Sequence, residues 1–129
     1  MNQEKVGNKV LFYDTYALYA IVKGEESYRN YISNYKILTN LMNVYELYYI
    51  LIKENENKLA EEFFDKLINF CVKIEPNIVK EAAAFRLENI KKKFSYLDCL
   101  GYVTARSLKV KFLTGDEGFR DISGVEFVK

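Results

Sequence analysis

The sequence predicts an α/β fold, with helices on both faces of a mostly parallel central sheet of four to five strands, in three α/β/α layers. Short apolar runs of strand length recur at residues 9–13 (KVLFY), 36–39 (KILT), 111–114 (KFLT) and 125–128 (VEFV). Segments with helical periodicity separate them, and strands that alternate with helices imply a parallel sheet covered on both sides. No Gly/Ser linker, low-complexity tract or repeat divides the 129 residues, so one domain, 1–129, is expected.

The elements follow in order. The run 9–13 reads as a buried strand that ends at Asp14 and feeds a helix through Val22. A second helix is expected over 25–34, leading into the strand 36–39. Asn40 then caps a long helix reaching about Lys53. Between 55 and 72, Leu59, Phe63, Leu67 and Phe70 share one helical face, with Glu56, Glu61, Glu62, Asp65 and Lys66 opposite. A brief strand is expected at 73–75, and Pro76 suits the entry of a helix running to about Lys93. Ser95 opens the next helix, over 96–108. The strand 111–114, a turn at 115–118 and the closing strand 125–128 complete the chain.

Composition excludes several kinds of chemistry. With no histidine there is no Ser-His-Asp or Cys-His machinery and no HExxH zinc site. Cys71 and Cys99 are far apart in apolar settings, which fits reduced thiols rather than a disulfide framework or a zinc site. The polar N-terminus, 1–9, does not read as a signal peptide. The longest nearly uncharged stretch, 37–52, is too short and too polar for a bilayer span, so a cytoplasmic protein is expected. A formal charge of +1 is not that of a bulk nucleic-acid coating protein, yet sequestering a few acids around cations would leave a basic remainder able to receive an anionic polymer.

The most informative residues are acids that interrupt uncharged segments. Asp14 is the lone charge between residues 10 and 22, Glu46 between 37 and 52, and Asp98 between 94 and 105. A carboxylate in an apolar interior costs several kcal/mol or more unless it is paired or bound to a metal, and no Lys or Arg lies in these windows. Asp116 follows the strand KFLT, and residues just past strand carboxyl ends meet at the ligand crevice of an open parallel sheet. Asp14 holds the same kind of position. Glu46 and Asp98, near helix starts, can lean toward the same edge. Four carboxylates meeting there repel one another, and a hard oxygen-seeking cation, magnesium or manganese, is the natural remedy.

Each acid also has a purely structural explanation. Asp14 can cap the helix that starts at Thr15, Asp98 completes a Ser95-x-x-Asp98 capping box, and Asp116 can be a turn residue. Glu46, in mid-helix, can form a structural ion pair.

Order and spacing add to these single signals. The sequence resembles the PIN domain family, and VapC-type toxins and archaeal PIN proteins in particular, over nearly its whole length. The resemblance rests on VLFYD at Asp14, LMNVYEL at Glu46, SYLDCLGYVTA at Asp98 and, most specifically, Thr-x-Asp-x-x-Phe at Thr114, Asp116 and Phe119. It implies that Asp14, Glu46, Asp98 and Asp116 hold one or two Mg2+ or Mn2+ ions, with Thr114 supporting the site through its hydroxyl. Asn40 falls where family members often carry a small polar residue, and Asp121 is an accessory acid on the same basis. The implied activity is hydrolysis of RNA phosphodiester bonds by metal-activated water, with no protein nucleophile. An antitoxin protein that blocks the cleft and a homodimer are the implied partners.

Lys91, Lys92 and Lys93 can touch phosphates or simply complement a helix dipole. Tyr16, Tyr19, Tyr45, Tyr48 and Tyr49 can stack bases, although core or subunit packing is the simpler use of such rings. Two other metal-using folds fit poorly. A haloacid dehalogenase would need an acid where Tyr16 stands, and a response-regulator receiver lacks its paired acids and late Lys-Pro. Alternatives to a toxin are a PIN-like RNA- or protein-binding module without catalysis, and an RNA-processing nuclease that is not a toxin.

Overall fold

The structure is a computed structural model describing residues 9–129; residues 1–8, on which the signal-peptide reading largely rests, lie outside it. Its strands are β1 (Val10–Tyr13), β2 (Lys36–Leu38), β3 (Lys111–Thr114) and β4 (Val125–Phe127). The helices are α1 (Thr15–Val22), α2 (Asn30–Ser33), α3 (Leu41–Lys53), α4 (Asn57–Leu67), α5 (Pro76–Glu88) and α6 (Tyr96–Leu108). The strands form one sheet in the order β2-β1-β3-β4, and every pairing is parallel.

Alternation along the two central strands sets the layers, because successive side chains leave a strand on opposite faces. Leu11, Tyr13 and Leu113 point to one face and pack with Ala17, Leu18, Val44, Leu47, Leu51 and Ala60 from α1, α3 and α4. Phe12 and Phe112 point to the other and pack with Ile78, Ala82, Phe85, Val103 and Phe119. Gly101 lets α6 lie close on the second face, since a Cβ there would stand 3.0 Å from both the Phe12 and Phe112 rings. Because all four strands run the same way, their carboxyl ends share one edge. Chain order reverses there between β1 and β3, the place where an open α/β sheet leaves a crevice.

The expected α/β/α architecture is therefore present, with four strands. Several boundaries differ for identifiable reasons. The helix expected over 25–34 is a 3₁₀ turn, Glu26–Tyr28, followed by the single turn of α2. Tyr28 in the first turn and Tyr31 in the second are both buried. The amphipathic stretch 55–72 starts late, because Asn55 is left-handed at φ 64, and ends at Leu67 before a 3₁₀ turn, Ile68–Phe70. That turn delivers the chain to Thr39: Thr39 N–H donates to the Phe70 carbonyl at 3.1 Å and Val72 N–H to the Thr39 carbonyl at 2.8 Å. In place of the brief strand expected at 73–75 there is thus a single parallel bridge between Cys71 and Thr39. Helix α5 stops at Glu88 instead of about Lys93. A 3₁₀ turn, Ile90–Lys92, and left-handed Lys93 turn the chain so that Phe94 stacks on Phe85, ring centres 5.8 Å apart.

Cys71 and Cys99 are free thiols. Among the described residues no helix is long and apolar enough to cross a membrane. Asn40 caps α3 as expected, its Oδ1 accepting from Asn43 N–H at 2.9 Å in a fully buried position. Asn40→Ala is expected to cost about 1–2 kcal/mol of stability in urea unfolding.

Candidate active site

Asp14 stands where β1 becomes α1. Its N–H donates to the Leu113 carbonyl at 3.2 Å, tying it to β3, and its Oδ1 accepts from Ala17 N–H at 2.9 Å, capping α1. It is 4% exposed and forms no ion pair with a described lysine or arginine. Burial pushes its carboxyl up to about 7. Hydrogen bonds from the Thr114 hydroxyl and Ala17 N–H oppose that rise, and the charges of Asp98 and Asp116 add to it.

Asp116 follows β3 by one residue beyond Gly115. Its Oδ1 accepts from Gly118 N–H at 3.0 Å, and its own N–H donates to Thr114 Oγ1 at 3.1 Å. The fully buried Thr114 hydroxyl accepts from the Asp116 backbone N–H and, lying beside Asp14, favours its charged form. Asp98 comes from the first turn of α6. Its N–H donates to Ser95 Oγ at 3.0 Å, and its Oδ2 accepts from Ser95 N–H at 2.9 Å. Its carboxyl is raised mainly by partial burial, with Asp116 and Glu46 adding and Ser95 opposing. Glu46 reaches the same place from α3. These four acids line one open cleft of about 690 Å³ at the carboxyl edge of the sheet.

Capping and convergence are therefore compatible: all three aspartates make the local bonds that a structural explanation requires, and all three face the same cleft. Each uses one oxygen on its own backbone. Among the described residues no three acids or thiols stand close enough together, as they are placed, to hold a metal ion. The donor chemistry fits a hard divalent cation, being all carboxylate oxygen, with the most buried acid lacking a basic partner among the described residues.

One expectation is corrected in its reasoning. Glu46 does not interrupt an apolar interior: it lies on the solvent side of α3 beside the exposed Tyr45 and Tyr49. Tyrosines made the window look buried. Neither Asn40 nor Asp121 lines the cleft. Asn40 acts on α3, and Asp121 is exposed beyond the cleft, near Arg120. Lys91, Lys92 and Lys93 are exposed outside it, with Lys92 Nζ donating to the Gly118 carbonyl at 3.4 Å.

Other lining residues escaped sequence reading. Glu54, the residue just past the end of α3, lines the open cleft with Glu46 and Ile50, a spacing of four and four that could have revealed it. Glu117 and Lys129 also line the cleft and are bonded to each other at 2.8 Å. Arg120 and Lys129 together hold the Glu117 carboxyl down to about 2. A second cleft, about 590 Å³, opens near the start of β1 among Arg106, Lys109 and Lys111. Its one carboxylate, Glu126, accepts from the Tyr31 hydroxyl at 2.7 Å, so it offers no acid cluster.

The fold has counterparts among known proteins. The PIN domain family model matches residues 11–125. No curated protein sequence matches the chain. Among solved structures, a toxin-antitoxin complex from Klebsiella pneumoniae superposes with a TM-score of 0.73 at 18% identity, covering 90% of this chain and 95% of that one. Mycobacterium tuberculosis VapC20, described as a sarcin-ricin loop cleaving toxin, gives 0.78 at 14% identity, covering 92% and 99%. VapBC2 from Rickettsia felis, bound to a DNA fragment from its promoter, gives 0.70 at 19% identity, covering 93% and 99%. At these identities the likeness is one of fold.

Proposed function

The chain belongs to the PIN domain family, and on that premise we propose that it is a metal-dependent endoribonuclease, the toxin of a VapBC-type toxin-antitoxin pair. The observation that carries this proposal is the buried Asp14, with no ion pair to a described lysine or arginine, sharing a cleft with Glu46, Asp98 and Asp116. In this reading those four side chains hold one or two magnesium or manganese ions. A divalent cation supplies an acidified water and positive charge for the departing oxygen of a phosphodiester.

The protein's part is placement. The Thr114 hydroxyl holds the Asp116 backbone N–H at the end of β3, beside Asp14. The Ser95 box fixes the entry of α6 and with it Asp98. The rigid sheet edge sets Asp14 and Asp116 side by side, because β1 and β3 are hydrogen-bonded neighbours. Histidine is absent, so no imidazole relays protons, and the acids are the groups available to do so. RNA as substrate, action in the cytoplasm, an antitoxin that covers the cleft and a homodimer belong to the same proposal. The similar structures from Klebsiella pneumoniae and Rickettsia felis, a toxin-antitoxin complex and VapBC2, support the antitoxin partner.

Purified protein is expected to cut single-stranded or structured RNA with manganese or magnesium, and a chelator should stop it. Asp98→Ala should lower the rate about 100-fold or more, since it removes both a ligand and its charge. RNA end-sequencing before and after each change reads the result. Cleavage that survives chelator and Asp98→Ala would reject the proposal. Metal binding without cleavage would leave the non-catalytic module, and cleavage without growth arrest on expression would favour an RNA-processing nuclease.

A further inference from the structure

The acid cleft continues into a smaller aromatic pocket of about 260 Å³, and the two share Tyr16, Tyr19 and Lys129. Tyr16 lies two residues after Asp14 and keeps 40% of its surface exposed. Its ring edge rests where Gly115 has no side chain: a Cβ at that glycine would stand 2.2 Å from the ring. Behind it lies the buried Tyr28, ring centres 6.2 Å apart, whose hydroxyl donates to the Val128 carbonyl at 2.6 Å. Tyr19 is held by its hydroxyl, which donates to Glu54 Oε2 at 2.6 Å. The exposed ring thus rests over Gly115 with the anchored Tyr28 behind it.

We propose that this pocket is a nucleobase subsite beside the acid cleft, in which Tyr16 stacks the base and Glu25 reads its edge, with guanine preferred. The proposal deepens the nuclease reading and rests on it for the substrate class. Charge decides between base and phosphate. Lys129 is the one described cation lining either space, and it is already bonded to Glu117, so a neutral aromatic group fits better than a bare phosphate. Unstacked bases of single-stranded RNA are recognised by stacking on such rings and by hydrogen bonds to their edges.

Glu25 supplies the edge contact. Glu25 lines the pocket with Ser27, and its carboxylate makes no hydrogen bond or ion pair to any described residue. Two carboxylate oxygens accept side by side, and guanine presents two adjacent donors, N1–H and the N2 amine. Adenine and cytosine each offer one exocyclic amine on that edge, and uracil one ring N–H.

The test measures binding without cleavage, with calcium in place of magnesium. A single-stranded RNA carrying 2-aminopurine is followed by fluorescence, and uridine-rich strands with one guanosine or one adenosine compete. Tyr16→Ala should weaken binding about tenfold and lose the quenching that stacking causes, and Tyr16→Phe should restore both. The wild type should prefer the guanosine strand about fivefold or more, and Glu25→Gln should lose that preference. Tyr16→Ala, shown folded by its circular dichroism, that binds and quenches like wild type would overturn the subsite. Equal competition by both strands with wild type would overturn the guanine assignment. A wild type that quenches the probe yet never cuts RNA with manganese would overturn the nuclease reading while supporting the subsite.

Discussion

Asp14→Asn is expected to abolish RNA cleavage while making the metal-free protein more stable at neutral pH. The carboxyl of Asp14 is raised by burial from 3.8 to about 7, so between those values the folded state binds a proton that the unfolded state has lost. Stability from this group is fully present below about pH 4, declines as pH rises, and is gone above about pH 7. The slope is about 1.4 kcal/mol per pH unit at most, and over the window the loss is a few kcal/mol. Asparagine retains an oxygen to cap Ala17 N–H and has no charge to desolvate, so the variant should lack this decline. Urea unfolding in chelator at several pH values measures it. Added manganese should then stabilise the wild type more than the variant, because an ion that binds only the folded form adds its binding free energy. Parallel pH curves for the two proteins would contradict the assignment of the strain to Asp14.

Gly115→Ala is expected to be costly in both stability and rate. The added methyl would stand 2.2 Å from the Tyr16 ring and 2.5 Å from the Val128 carbonyl oxygen. The ring can swing. The carbonyl cannot move cheaply, since it accepts from the Tyr28 hydroxyl at 2.6 Å and Val128 N–H donates to the Thr114 carbonyl at 2.9 Å. Overpacking of this kind costs about 1–3 kcal/mol and displaces what it touches. Gly115 is flanked by Thr114 and Asp116, so the displacement falls on the site itself. Thermal unfolding should shift down by several degrees. Cleavage should fall by about tenfold or more through misplaced ligands. A variant equal to wild type in both would show that the C-terminal strand yields more easily than its hydrogen bonds indicate.

Much of this was legible in the residues. Apolar runs and helical spacing revealed the strands and the layers, because burial on both faces leaves strands nearly free of charge. Asp14 was legible for the same reason, a charge where the chain has otherwise none. Glu46 was placed correctly on α3 for a mistaken reason: Tyr45 and Tyr49 are apolar enough to mimic a core and polar enough to face water. The broken ends of α4 and α5 were not legible. They depend on where Thr39 and Phe94 need partners, and those contacts join residues distant in the chain. Asp121 followed the turn by sequence and left the cleft by geometry, since the 3₁₀ turn Glu117–Phe119 sends the chain outward after burying Phe119. Lys129 reaches the cleft only because β4 runs parallel to β3 and ends at the same edge.

Anomalous diffraction from manganese-soaked crystals tests the shared cation most directly. One or two peaks are expected between Asp14, Asp98 and Asp116, at about 2.0–2.2 Å from carboxylate oxygens and with Glu46 turned inward or linked through water. Full-occupancy manganese bound elsewhere, with those side chains still apart and facing their own backbone, would contradict the account.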